Sequence, residues 1–152
     1  MTEQRTWMIC ASLLAASLLL HGLVSGQQKD RTRDPIVGVW WFTTTSGTHP
    51  VKGTVTVWKL GDRYSVQYSG FGKDEKGQTA TFQVTGTGSF SKEKHVLSVT
   101  WTDANKSLGL TTLDLTGTGS ERRMKGTWVV RGGPADAQPE EWTWIAPLGG
   151  HK

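Results

Sequence analysis

The stretch Thr79–Asp103, TATFQVTGTGSFSKEKHVLSVTWTD, decides the fold. Apolar and polar residues alternate on both sides of a charged turn, Lys92-Glu93-Lys94. Phe82, Val84 and Gly86 share one face of the first half, and Leu97, Val99 and Trp101 share one face of the second. Thr81, Gln83, Ser98 and Thr100 fall on the opposite side. Side chains of a strand point alternately to its two faces, so this is strand patterning. A turn this short makes the two strands antiparallel neighbours. Only one side is consistently apolar, so that side faces an interior and the threonine side faces water.

The same pattern extends in both directions. Eight runs read as strands: Val37–Thr45, Gly53–Leu60, Arg63–Ser69, Thr79–Ser91, His95–Asp103, Leu110–Thr118, Met124–Arg131 and Glu141–Ala146. Tyr64, Val66 and Tyr68 form a further inward row, as do Trp40 and Phe42, Leu113 and Leu115, and Gly126 and Trp128. The second run is ambiguous, because Val55 and Val57 compete with Trp58 and Leu60 for the inner face. Short connections predict an up-and-down meander. The longest loop is Gly132 to Glu140. All five prolines (Pro35, Pro50, Pro134, Pro139, Pro147) fall outside these runs, as central strands require.

An internal echo adds curvature to this picture. Thr85-Gly86-Thr87-Gly88-Ser89 recurs as Thr116-Gly117-Thr118-Gly119-Ser120, each copy read as the end of a strand. Glycine in a strand marks a sharp bend or a barrel corner. The expected fold is therefore all-β, an eight-stranded antiparallel up-and-down barrel, with a two-sheet sandwich as the alternative. Closure also removes exposed sheet edges.

The N-terminus reads differently. Met8 to Leu20 is an apolar run with Arg5 ahead of it and Val24-Ser25-Gly26 behind, the pattern of a secretory signal. The run is shorter than the ~20 residues of a membrane span. The expected organisation is a helical signal over 1–26, cleaved near Gly26, a polar tail over 27–35, the barrel over 36–147 and a short tail over 148–152. The exported product is then secreted or periplasmic, with no membrane association. Cys10, the only cysteine, lies in the signal, so disulfides and thiolate chemistry are excluded from the rest. Stability must come from a core, and seven of the eight tryptophans lie beyond the signal: Trp40, Trp41, Trp58, Trp101, Trp128, Trp142 and Trp144. Each can contribute at most ~4–6 kcal/mol by burial. The net charge of +4 is spread over predicted turns and not gathered on one face, which argues against nucleic acid as a partner.

The interior of an eight-stranded barrel is just wide enough to be filled by side chains or to hold one small ligand. One reading fills it with its aromatics. The other makes it an aromatic-walled cavity for a small apolar or aromatic molecule, because Tyr64, Tyr68, Trp101 and Trp128 lie near glycine-containing strand ends where side-chain volume drops.

At these residues the chain resembles the avidin/streptavidin group of the calycin barrels, which include the lipocalins. Gly38-Val39-Trp40-Trp41 is similar to the opening of that family's first strand, and Leu97–Trp101 to its fifth strand, which ends in a pocket tryptophan. Gly126-Thr127-Trp128-Val129-Val130 is similar to its seventh, and Trp142 lies where the family has a tryptophan after a loop. The inward rows and the resemblance together give a binding site lined by Trp40, Phe42, Ser46, Tyr64, Tyr68, Phe82, Trp101, Leu113, Leu115 and Trp128, and the resemblance implies contact of Trp142 with a second subunit, hence a homo-oligomer. It also implies that the biotin site is lost. The family's first-strand asparagine falls at Phe42, its sixth-strand polar residue and tryptophan fall at Leu113 and Leu115, and no aspartate follows Trp142. A ureido group needs those buried donors and acceptors.

No catalytic constellation is visible. His49, His95 and His151 are far apart, no serine sits in a Gly-x-Ser-x-Gly elbow, and neither a metal nor another cofactor is expected. Asp103 and Asp114 are the only acids expected near strand ends or interiors, with Asp114 exposed. Asn105-Lys106-Ser107 is a glycosylation sequon in a predicted turn. Trp142 and Trp144 share a side of the last run, where they either close the barrel seam against Trp40 or Trp41 or form an exposed platform. The competing function is accordingly a protein- or glycan-interaction module with a filled lumen, such as a calycin-type inhibitor or adhesin, that makes contact through exposed tryptophans.

Overall fold

Period-two patterning takes the chain up and down through eight antiparallel strands, and the last pairs with the first. The computed structural model describes residues 34–74, 76–133 and 136–148. The expected signal over 1–26 and most of the tail after it lie outside the described residues. The strands are β1 (Gly38–Ser46), β2 (His49–Leu60), β3 (Arg63–Lys73), β4 (Thr79–Ser91), β5 (Val96–Asp103), β6 (Leu108–Thr116), β7 (Arg123–Val130) and β8 (Gln138–Ala146). A single 3-10 turn, Gly119–Glu121, lies between β6 and β7. The sandwich alternative falls, because β1 and β8 pair along a seam, with one register shift between Val39 and Trp40, that puts Phe42 opposite Trp142 and Thr44 opposite Glu140.

Three boundaries move outward from the sequence reading by at least three residues. β2 starts at His49, β3 runs to Lys73, and β8 starts at Gln138. Pro50 and Pro139 therefore lie inside strands, contrary to expectation. Each sits one residue beyond the last pair on one side of its strand, Val51 with Gly72 and Glu140 with Thr44. A residue with no N–H loses nothing there, because the ladder has no acceptor to offer. The glycine echo is also not a structural repeat. Gly86 and Gly88 lie within β4, opposite Trp101 and Val99, whereas Gly117 and Gly119 turn the chain after β6 with positive φ.

The inner face is resolved throughout. Val55 and Val57 point in and are wholly buried, while Trp58 and Leu60 point out. The barrel has two unlike ends. At one, Gly38, Ala146 and the β2–β3, β4–β5 and β6–β7 turns close over a plug that includes Ile36, Trp40, Val66, Leu97 and Met124, all fully buried. Trp40 packs edge-on against Trp144 at 4.9 Å and tilted against Trp142 at 6.2 Å, so both late tryptophans close the seam. The Trp40 indole N–H donates to Ile36 O at 2.9 Å, and the Arg122 guanidinium lies 3.5 Å from the Trp144 ring centre. Pro35, assigned to the loose tail, is held there, its carbonyl accepting from Arg122 at 2.5 Å.

Candidate functional site

The other end is built from the β1–β2, β3–β4, β5–β6 and β7–β8 connections. Here small residues, Gly72 on β3 and Ala80 on β4, replace the bulk that plugs the closed end. They leave a cavity of about 380 Å³. That is within the ~300–1,000 Å³ of small-molecule sites. Five aromatic side chains wall it: Phe42 from β1, Tyr68 from β3, Phe82 from β4, Trp101 from β5 and Trp128 from β7. They brace one another edge to face, Phe42 on Tyr68 at 5.5 Å, Phe42 on Phe82 at 6.1 Å and Trp101 on Trp128 at 5.9 Å. Edge-to-face contact is one of the two favoured aromatic geometries, so the rings support one another's orientation.

Each indole around this space has its N–H satisfied. Trp101 donates to Thr111 Oγ1 at 3.0 Å, and Trp128 donates to Thr44 Oγ1 at 2.6 Å. The Thr44 hydroxyl donates in turn to Pro139 O at 2.5 Å. Trp142, below the cavity and edge-on to Tyr68 at 5.6 Å, donates to Glu140 Oε1 at 2.5 Å. The tryptophans are thereby fixed in orientation and offer the cavity ring surface, with no free N–H.

Glu140 is the chemical surprise. It lies on β8, is only 5% exposed, and lines the cavity with Thr111 and Tyr68. Burial raises its carboxyl from the usual 4.5 to about 7, against the pull of the Trp142, Tyr68 and Thr111 donors beside it. The Tyr68 hydroxyl lies in the same neighbourhood, yet it is buried with no hydrogen-bond partner at proper geometry. Burial pushes its phenol well above the ordinary value, the adjacent Glu140 pushes it further, and Thr111 opposes the rise.

Of the expected lining residues, Phe42, Ser46, Tyr68, Phe82, Trp101 and Trp128 come together at this cavity. Trp40, Tyr64, Leu113 and Leu115 do not, and all four are buried away from it. The two readings of the lumen each describe one half of it. Trp142, expected at an interaction surface, is wholly buried, and Trp144 is half-buried between Trp40 and Arg122. The view of Asp103 and Asp114 as the only relevant acids is corrected by Glu140. Pro139 made residues up to 140 look like loop, yet Glu140 is two residues before Trp142 and shares its face. Thr111 was likewise legible as a same-face neighbour of Leu113. Asp103 has a turn role, its carboxylate accepting from Asn105 N at 2.9 Å and Ser107 N at 2.8 Å, which puts the sequon in an exposed turn. No protein-family model matches the chain, and no curated protein matches it in sequence.

Proposed function

We propose that the protein is an exported, non-catalytic barrel that holds one small apolar or aromatic molecule in the open half of its lumen. In this reading it is a divergent avidin-like calycin barrel without the biotin site. The observation that carries the reading is the cavity itself, large enough for a ligand and walled by five aromatic side chains, the two indoles among them with their N–H groups already bonded. A pocket of that kind selects by apolar area and shape. The closed, up-and-down barrel is compatible with the calycin resemblance. For the interaction-module alternative, the exposed tryptophans among the described residues are Trp41 and Trp58, each 37% exposed on the outer face.

Titration with naphthol, followed by tryptophan fluorescence, tests the proposal. One saturable site is expected, with at least ten-fold weaker binding in Trp128→Ala. Non-saturable quenching overturns it. Sub-micromolar biotin is expected to leave the fluorescence unchanged, because Phe42, Leu113 and Leu115 offer no ureido partners.

A further inference from the structure

Resting on the cavity reading above, one group remains unexplained by a purely apolar ligand. A carboxyl at the bottom of an aromatic pocket is a costly way to satisfy one indole N–H, since a glutamine carbonyl would do the same. Among the described residues lining the cavity, the one basic side chain is Lys73, which is exposed at the end of β3 and donates to Thr79 Oγ1 at 3.1 Å. Glu140 thus accepts from Trp142, has the Tyr68 and Thr111 hydroxyls beside it, and has no basic side chain as its neighbour. Beside it, the buried Tyr68 hydroxyl has Glu140 and Thr111 as neighbours but makes no hydrogen bond of proper geometry. Native interiors seldom leave such a group unmatched, and a bound ligand is one way to match it.

Three features converge on one ligand chemistry. An ammonium has several donors and no acceptor, so it can bond both the second Glu140 oxygen and the Tyr68 oxygen. Aromatic rings attract cations within about 6 Å of their faces, most strongly when water is excluded. The rest of the cavity takes a ring or short apolar chain. We infer that the cavity is built for a small aromatic or apolar molecule carrying a protonated amine, bound with its ammonium between the Glu140 carboxylate and the Tyr68 hydroxyl.

This arrangement ties binding to pH. The titratable groups lining the same space are Glu140 on β8, Tyr68 and Lys73 on β3, and Asp103 on β5. The cavity residues from β1, β2, β4, β6 and β7 carry none. With its carboxyl raised to about 7, Glu140 must lose a proton to meet the ammonium in acid. From about pH 8 to about pH 6 its ionised fraction falls roughly ten-fold, and amine affinity falls with it.

The test compares phenethylamine with phenethyl alcohol, its neutral near-isostere, by calorimetry on the whole protein. At about pH 8 the amine should bind at least ten-fold more tightly than the alcohol, and at about pH 6 most of that advantage should be gone. Glu140→Gln keeps an acceptor for Trp142 and should abolish the advantage while leaving the alcohol within about two-fold. Tyr68→Phe, which keeps the ring, should weaken the amine several-fold and spare the alcohol. Equal binding of amine and alcohol, or an advantage that survives Glu140→Gln, overturns the amine assignment and leaves the cavity reading standing. Should neither compound nor naphthol saturate, the cavity reading fails and the amine assignment goes with it.

Discussion

Glu140 stands two residues before Trp142, and period two turns both side chains inward. The cost of that placement appears in its proton affinity. Burial raises the carboxyl from 4.5 to about 7, so the folded protein binds this proton more tightly than the unfolded chain does. The resulting stabilisation is fully present below about pH 4.5 and is lost as pH rises through about 7. Its ceiling is on the order of 3 kcal/mol, because each ten-fold gain in proton affinity is worth about 1.4 kcal/mol. Urea denaturation of the unliganded protein between about pH 5 and about pH 8 should show wild type losing stability relative to Glu140→Gln as pH rises. Parallel profiles for the two proteins would show that the carboxyl titrates as it does in water. Tyr68 yields a second expectation at the same scale. Its buried hydroxyl is without a partner, and leaving such a group unmatched costs about 1–3 kcal/mol. Tyr68→Phe should therefore leave the empty barrel as stable or stabilise it by about 1 kcal/mol. A loss of more than about 1 kcal/mol would mean the hydroxyl is bonded in solution.

Strands carry these residues to one place, and the strands were readable in unequal degree. The rows Leu97-Val99-Trp101, Tyr64-Val66-Tyr68 and Leu113-Leu115 all point inward as period two requires. What escaped were the ends of β2, β3 and β8, where proline, glycine and polar residues argue for loop. Pairing around a closed sheet outweighs those local preferences, because each extra residue completes a ladder on a neighbouring strand. The same effect hid Glu140, which lies directly after a proline. The division of the lumen into a plugged and an open half was not legible either. It depends on which glycines face which aromatics across strands. Gly109 on β6 shows this, since it lies directly opposite Trp101 on β5, and a Cβ there would run into the indole ring. Gly109→Ala should push Trp101 toward the cavity and break its bond to Thr111, costing about 2 kcal/mol by strain and a lost buried hydrogen bond. Chemical denaturation with near-ultraviolet circular dichroism checks this. An unchanged tryptophan signal together with unchanged stability would refute the packing described.

At the scale of the whole barrel, an open mouth requires that the other end hold the sheet together, and Arg122 links the parts that meet there. Its guanidinium donates to Pro35 O at 2.5 Å and Gly119 O at 2.7 Å, and stacks 3.5 Å from the Trp144 ring centre. The Trp144 backbone N–H donates in turn to Arg122 O at 3.2 Å. One side chain thus ties the segment before β1, the turn between β6 and β7, and the end of β8. A planar fork can stack and bond two carbonyls at once, whereas a lysine ammonium cannot. Arg122→Ala forfeits a partly desolvated cation–π contact and two charge-assisted bonds, together about 2–4 kcal/mol. For a barrel of this size that lowers the melting temperature by about 10 °C. Arg122→Lys should recover only part of the loss. Because Arg122 lies at the end away from the cavity, the folded fraction of either variant should bind naphthol within about two-fold of wild type. Scanning calorimetry and fluorescence titration on the same samples separate the two effects. If Arg122→Ala weakens the probe as strongly as it lowers the melting temperature, the closed end and the cavity are one mechanical unit, and a rigid plug beneath an independent site is the wrong description of this barrel.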